Sequence, residues 1–182
     1  MATGKVLHNR HSIRLGGYDY ASEGGYFVTI VTHLRKCLFG SIVNDEIRLN
    51  QFGNLVKKEW FHTAKLRPNI ELLPDEFVVM PNHIHGIIWI NDLHCRGSLQ
   101  RTPTIERFQK PVSNSIPTII RLFKSTMTKQ INLIRQTPYE PVWQPNYYEH
   151  IISSEKDYEN IANYIDSNPL TWQTDKEYLE VP

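Results

Sequence analysis

The chain has 182 residues, of which 40% are hydrophobic and 21% are charged, a composition typical of a folded domain rather than a disordered chain. No apolar run approaches the ~20 residues needed to cross a bilayer, and the polar, basic N-terminus lacks the apolar core of a secretory signal. Two cysteines, Cys37 and Cys95, are too few for a disulfide framework or a cysteine zinc site. Membrane, secreted and fibrous classes are disfavoured, and we expect a cytoplasmic protein.

The net charge of +1 conceals an uneven distribution of charge along the chain. Residues 1–136 carry 18 basic and 10 acidic residues, a net charge of +8, whereas residues 137–182 carry 2 and 9, a net charge of −7. Residues 107–136 contain six basic residues and no acidic one. This basic segment favours nucleic-acid binding weakly, and a solvated helix face is an equally good interpretation.

The first half of the chain is rich in strand patterns. After a polar arm at 1–24, β-branched and aromatic residues predict a strand at 26–32. Residues 38–43 and 46–49 predict a hairpin, and a helix is predicted from Asn50, its N-cap, as far as Pro68. Residues 70–73, 77–80 and 83–90 predict two or three strands, the last two turned at Pro81-Asn82.

The second half begins with an inserted loop, predicted at 92–114 from its glycine, prolines and polar residues. Apolar residues spaced by three and four predict an amphipathic helix at 115–136, capped by Ser115. Residues 143–152 predict a strand or an extended segment, and Ser153 or Ser154 is expected to cap a last helix at 155–167. This order of elements predicts an α+β sandwich with a mostly antiparallel sheet and helices packed against it.

His83 and His85 form the first motif with chemical potential. Side chains two residues apart on a strand point to the same face, so both imidazoles can bind one ion while Ile84 faces away. Imidazole suits Mn, Zn, Fe or Ni, and Mg²⁺ fits only where oxygen ligands complete its shell. On its own, the motif is explained more often by one hydrogen-bonded core histidine and one exposed histidine.

The last predicted helix carries Tyr164 and Asn168, which are four residues apart and therefore on one face. A tyrosine hydroxyl can act as a nucleophile when a metal or base activates it, and an asparagine oxygen can be a neutral metal ligand. The structural alternative is a half-buried core tyrosine and a helix-end asparagine. The competing candidate nucleophiles are Tyr147, Tyr148 and Tyr158.

Four ordered segments resemble the HUH single-tyrosine transposases, in particular the REP-associated tyrosine transposase branch (transposase IS200-like domain). The segments are GYFVTIVT at 25–32 with LFG at 38–40, MPNHIHGII at 80–88, WQ at 143–144 with YEHII at 148–152, and YIDSNP at 164–169. The resemblance covers most of the chain, and residues 12–20 look like the N-terminal arm of this branch. It implies a ferredoxin-like fold, with an arm at 1–24 followed by a catalytic domain at 25–182.

The resemblance also implies an activity, namely cleavage and rejoining of single-stranded DNA, at or beside a hairpin, through a 5′-phosphotyrosine intermediate. His83 and His85 match the histidines that hold a divalent cation, Mg²⁺ or Mn²⁺, and Tyr164 matches the nucleophile. Asn168 stands where relatives carry a Gln as a further ligand, and it is one methylene shorter. The candidate DNA-binding residues are Arg107, Lys110, Arg121, Lys124 and Lys129. Relatives of this kind occur as monomers and as homodimers, so both states stay open.

Two other functions are compatible with the same residues. One is a DNA-binding module without catalysis, against which the intact histidine motif and Tyr164 argue. The other is a metal-dependent phosphodiester hydrolase that uses water, with Asp75 or Glu76 as a third ligand. A two-histidine phosphoesterase is disfavoured because its paired motifs are missing. His150 is a weak candidate for a general base that removes the tyrosine proton.

Overall fold

The structure, a computed structural model, describes residues 18–91 and 112–178. The strands are β1 (Gly24–Val31), β2 (Gly40–Val43), β3 (Glu46–Leu49), β4 (Ile70–Glu71), β5 (Phe77–Val79), β6 (His83–Ile90) and β7 (Tyr148–Ile152). The helices are α1 (Gln51–Lys65), α2 (Ile116–Arg135) and α3 (Glu155–Ser167). Most of the predicted arm, at 1–17, and most of the predicted insertion, at 92–111, lie outside the described residues.

Five strands form the main sheet, and β1 and β6 lie at its centre. The order is β4-β6-β1-β7, with β5 also paired to β6, and every pairing is antiparallel. The hairpin of β2 and β3 forms a separate two-stranded sheet. The predicted α+β sandwich is therefore confirmed. Within the described part of the chain, no helix combines the length and the apolar character needed to cross a membrane.

Helices cover both faces of the main sheet. On one face, Val28 of β1 and Ile84 of β6 belong to the large core that contains the apolar residues of α1 and α2. On the other face, Phe27 and Ile87 pack with Ile165 of α3 in a smaller cluster. Because successive side chains of a strand alternate, His83 and His85 share the face of Ile87, beneath α3. This arrangement explains why β6 is buried on both of its faces along nearly its whole length.

A close approach between α1 and β6 sets the large core beside the histidine strand. A Cβ atom added at Gly86 would lie 2.6 Å from the ring of Trp60, which is nearer than packed carbon atoms come. The Trp60 ring stacks on Phe77, with centroids 4.7 Å apart. Glycine at position 86 therefore lets α1 rest directly on the face of the sheet opposite His85 and Ile87.

The three long helices begin at residues that the sequence predicts as caps. The side chains of Asn50, Ser115 and Ser154 each accept hydrogen bonds from backbone N–H groups in the first turn. Such bonds satisfy donors that the helix itself leaves open. The capping residue of α3 is thus Ser154 rather than Ser153.

Only the second half of the predicted strand or extended segment at 143–152 forms a strand. Regular pairing begins at Tyr148, and Trp143 forms only an isolated bridge with Thr32. Pro145 lies between them and has no N–H to donate to a ladder. Residues 143–147 instead run along the end of β1, where Gln144 N donates to Val31 O over 2.9 Å.

Candidate active site and metal centre

The two histidines at the start of β6 lie side by side in the protein interior. Both are 0% exposed, and their Nε2 atoms are 2.9 Å apart. His85 also stacks on Phe27 of the neighbouring strand, with ring centroids 5.5 Å apart. The prediction that both side chains share one face of the strand is confirmed, whereas the alternative of one buried and one exposed histidine is wrong.

Burial keeps both imidazoles neutral. It lowers the pKa of His83 to about 4, although the negative charges of Asp175 and Glu177 act in the opposite direction. Burial, followed by the effect of the adjacent His83 ring, holds the pKa of His85 well below its usual range. A neutral imidazole has one nitrogen with a free lone pair, which is the form that binds metal ions.

Tyr164, near the end of α3, places its hydroxyl group beside this pair. The hydroxyl oxygen lies 3.3 Å from His85 Nε2 and donates its proton to Asp175 Oδ2 over 3.1 Å. Burial raises the pKa of Tyr164 well above its usual value, and the negative charge of Asp175 and its hydrogen bond raise it further. The side chain therefore carries its proton at neutral pH in the absence of a neighbouring cation.

Asp175 completes the cluster, and sequence reasoning missed it. A short 3₁₀ helix at Trp172–Thr174 follows α3, and the chain after it brings the carboxylate back towards the histidines. Asn168 Nδ2 donates to the same Oδ2 atom over 3.1 Å, so Tyr164 and Asn168 share one helix face as their spacing predicts. Asp175 is one of nine acidic residues after position 136, and no spacing rule distinguishes it from the other eight.

These residues form a donor set that fits a divalent cation. Ligand atoms of His83, His85 and Asp175 lie within 4.8 Å of one another, and two neutral imidazoles with a carboxylate are common metal ligands. Asn168 is 0% exposed. Its Oδ1 is a buried oxygen without a hydrogen-bond partner among the described residues. An unpaired buried oxygen is costly unless something binds it.

The competing tyrosine Tyr158 has a different partner. Its hydroxyl donates to Glu76 Oε1 over 2.8 Å, and Trp89 Nε1 donates to Oε2 of the same carboxylate over 2.6 Å. Glu76 is only 3% exposed. Both of its oxygens are therefore engaged away from the histidine pair, and among the described residues the carboxylate grouped with His83 and His85 is that of Asp175.

Two further candidates also have other contacts. Tyr148 is 43% exposed at the edge strand, where Lys176 Nζ lies 5.1 Å from its ring centre. His150, the candidate base, pairs with Asp157 over 2.9 Å. Within the described residues, only Tyr164 has its hydroxyl hydrogen-bonded to the histidine pair.

The basic residues predicted to contact DNA are not brought to this cluster. Arg121, Lys124 and Lys129 lie on α2, which covers the sheet face opposite α3. Arg121 and Lys129 are exposed, whereas Lys124 Nζ donates to the carbonyl oxygens of residues 144, 145 and 146 over 2.6, 3.2 and 3.2 Å. Arg107 and Lys110 lie outside the described residues.

Comparison with solved structures identifies the fold. The chain superposes on a REP-associated tyrosine transposase, solved bound to a REP hairpin, with a TM-score of 0.56. The identity is 21%, and the match covers 85% of this chain and 71% of that chain. The protein therefore has the ferredoxin-like fold of the transposase class that its sequence resembles.

Sequence comparison gives a much nearer relative. A Haemophilus influenzae protein, described only as uncharacterized, is 43% identical over 177 residues, which is 96% of each chain. This chain belongs to the same family as the Haemophilus influenzae protein. No protein-family model matches the sequence.

Proposed function

We propose that the protein is a transposase that cleaves and rejoins single-stranded DNA with Tyr164 as its nucleophile. The observation that carries this proposal is the Tyr164 hydroxyl, 3.3 Å from Nε2 of a buried histidine pair. The fold of a tyrosine transposase, which in its solved structure binds a REP hairpin, supports hairpin DNA as the substrate. We assign this activity to residues 25–182 and expect it in the cytoplasm.

The proposed cofactor is a divalent cation, Mg²⁺ or Mn²⁺, held by His83, His85 and Asp175, with Asn168 Oδ1 as a further ligand. The two imidazoles and two oxygens match the mixed ligand preferences of Mn²⁺. When bound, such an ion would polarise a phosphate oxygen and favour the phenolate form of a nearby tyrosine. The sequence predicted three ligands, His83, His85 and Asn168, and the proposed set adds Asp175 as a fourth.

Tyr164 would attack the phosphorus atom of the scissile phosphodiester. A bond forms between its phenolic oxygen and phosphorus, and the bond from phosphorus to the 3′ oxygen breaks. The phenolic proton passes to Asp175 Oδ2, which already accepts it in a hydrogen bond, and the leaving 3′ oxygen takes up a proton from water. The products are a 5′-phosphotyrosine and a free 3′-OH. Attack by another 3′-OH on the phosphotyrosine then releases Tyr164 and rejoins the DNA.

DNA binding would use the exposed cations of α2, Arg121 and Lys129, together with Arg107 and Lys110 of the preceding segment. Contacts of this kind provide affinity and salt dependence rather than sequence choice. Lys124 has a different proposed task. Because its ammonium group already binds three carbonyl oxygens, it would fix residues 144–146 rather than contact a phosphate.

The experiment uses labelled single-stranded oligonucleotides from both flanks of the gene, with their hairpins intact, and either Mn²⁺ or Mg²⁺. A denaturing protein gel should reveal a covalent adduct that depends on the metal ion and disappears in Tyr164→Phe and His83→Ala. Tyr139→Phe, at a tyrosine that is 99% exposed, is the matched control and should retain the adduct. DNA cleavage without an adduct would favour the water-using hydrolase, and binding without either product would favour the DNA-binding module.

A further inference from the structure

The hydrogen bonds of Asn82 determine which nitrogen of His83 carries a proton. Asn82 is 0% exposed, and its Nδ2 donates to the carbonyl oxygens of Arg35 and Glu177 over 3.2 and 2.7 Å. A flipped amide would point its oxygen at these two acceptors, so its orientation is fixed. Oδ1 then faces His83 Nδ1 over 2.8 Å. Since Oδ1 can only accept, His83 Nδ1 must carry the proton.

The protonation of His83 in turn constrains His85. A neutral His83 with its proton on Nδ1 has a bare Nε2. The contact of 2.9 Å between the two Nε2 atoms therefore requires the proton of His85 to lie on Nε2. His85 Nδ1 is then bare and accepts a hydrogen bond from the hydroxyl of Thr29 over 2.8 Å.

A cation at this site requires a different arrangement of the same protons. Both Nε2 atoms face the cluster and must present lone pairs to an ion, so the proton of His85 has to move to Nδ1. Thr29 can serve both arrangements, because a hydroxyl group donates as readily as it accepts. Thr29 is 2% exposed, so bulk water cannot easily replace it as the partner of the imidazole.

We propose that Asn82 and Thr29 are positioning residues for the metal centre, with Asn82 holding His83 permanently in its metal-binding tautomer and Thr29 permitting His85 to switch tautomers on binding. The inference rests on the metal site of the proposed function, and it assigns tasks to two residues outside the ligand set. Hydrogen bonds behind histidine ligands fix their tautomer and orientation, and their loss weakens metal binding by about 10–100-fold.

Thr29 offers a matched pair of variants. Thr29→Val keeps the shape of the side chain but removes the hydroxyl group, so a metal-bound His85 would have a buried N–H without an acceptor. Thr29→Ser keeps the hydroxyl group. We expect Thr29→Val to weaken Mn²⁺ binding by about 10–100-fold and Thr29→Ser to bind it nearly as the wild type does. Electron paramagnetic resonance of free Mn²⁺ measures both affinities without DNA.

Nitrogen chemical shifts of the histidine rings test the tautomers directly. In the metal-free protein we expect His83 protonated on Nδ1 and His85 on Nε2. Addition of Zn²⁺, a diamagnetic ion with high affinity for imidazole, should move the His85 proton to Nδ1 and leave the His83 proton in place. A His83 protonated on Nε2, or a His85 that keeps its tautomer with Zn²⁺ bound, would overturn the proposal.

The experiment separates this inference from the proposed function. If the wild type binds Mn²⁺ and Thr29→Val binds it equally well, only the positioning role of Thr29 is wrong. If the wild type binds no Mn²⁺, the proposed metal site is wrong. The cofactor of the proposed function and the positioning roles of Asn82 and Thr29 are then both wrong. The DNA adduct assay on Tyr164 judges the nucleophile independently of either result.

Discussion

Asp175 accepts three hydrogen bonds at the candidate site. Its Oδ2 accepts from Tyr164 and from Asn168, and its Oδ1 accepts from the backbone N–H of Glu177. A carboxylate held by three donors has a fixed orientation, and this one lies against two neutral imidazoles. A single acidic residue thereby binds the tyrosine and asparagine of α3 and places its carboxylate within 4.8 Å of ligand atoms of both histidines.

Asp175→Asn removes the charge while preserving the size of the side chain. We expect Mn²⁺ binding to weaken by at least about tenfold, since even groups behind the ligands are worth that much. The pKa of Tyr164 should fall, because the charge of Asp175 raises it. Mn²⁺ titration and ultraviolet titration of tyrosine measure the two effects. Asp166→Asn, at an exposed position of α3, is the control and should change neither.

The buried histidines predict a loss of stability in acid. The pKa of His83 is about 4 in the folded protein against an ordinary value of 6.5, so the unfolded chain binds more protons between these values. The contribution of neutral His83 to the free energy of unfolding should therefore be complete above about pH 6.5, and the free energy of unfolding should fall as the pH drops towards 4. Urea unfolding across this range measures the slope.

The control for this pH dependence is a histidine variant outside the core. His62 is exposed on α1, and His62→Gln should retain the acid-induced loss of stability. His83→Gln cannot take up the extra proton on unfolding, so its slope should be shallower. Equal slopes in the two variants would contradict a buried, neutral His83.

At the scale of elements, α3 presents the tyrosine and is attached to the sheet by few contacts. Ile165 is the one buried residue among its thirteen, and the cluster it joins is small. The hydrogen bond from Tyr158 to the buried Glu76 fastens the first half of the helix, and Tyr164 fastens its second half. Polar contacts therefore hold α3 against the sheet to a large extent, whereas apolar packing holds α1 and α2.

Tyr158→Phe removes the hydroxyl group that binds Glu76 and leaves a buried carboxylate oxygen short of one donor. We expect a loss of about 1–3 kcal/mol in the free energy of unfolding, measured by chemical denaturation. Tyr139→Phe is the matched control, because Tyr139 is 99% exposed, and it should change stability very little. A similar stability for the two variants would mean that the Glu76 contact does not hold α3.

At the scale of the whole molecule, the sheet separates two chemically different faces. The cluster of His83, His85 and Tyr164 lies beneath α3, and the exposed cations of α2 lie on the opposite side. DNA that contacts both must pass around an end or edge of the sheet. Affinity for DNA and chemistry at the tyrosine should therefore respond to different substitutions.

Arg121→Ala and Lys129→Ala test this separation. Each should reduce the salt dependence of single-stranded DNA binding by about 0.7 in the slope of log K against log salt, with adduct formation at saturating DNA unchanged. Fluorescence anisotropy over a range of salt concentrations measures the slope. Lys58→Ala, at an exposed position on α1, is the control and should have the wild-type slope. A wild-type slope in both α2 variants would exclude these residues from the DNA interface.

Local rules predicted the elements well because each depends on neighbours along the chain. Asn50, Ser115 and Ser154 cap helices with side chains that reach only two or three residues ahead. The shared face of His83 and His85 follows from the two-residue period of a strand, and that of Tyr164 and Asn168 from the helical turn. Which part of the segment at 143–152 would pair as a strand depended on its contacts with β1, where regular pairing begins only at Tyr148.

The sequence by itself determined the elements, the pairing of histidine with histidine and of tyrosine with asparagine, and the resemblance to a family. Only the tertiary structure brought Tyr164 to His85 across 79 positions and Thr29 to His85 across 56, and only it selected Asp175 from the acidic residues of the C-terminal segment. These contacts depend on the order of strands in the sheet and on the layer that each helix covers. No short-range periodicity encodes either, because both are decided by how the whole chain buries its apolar faces.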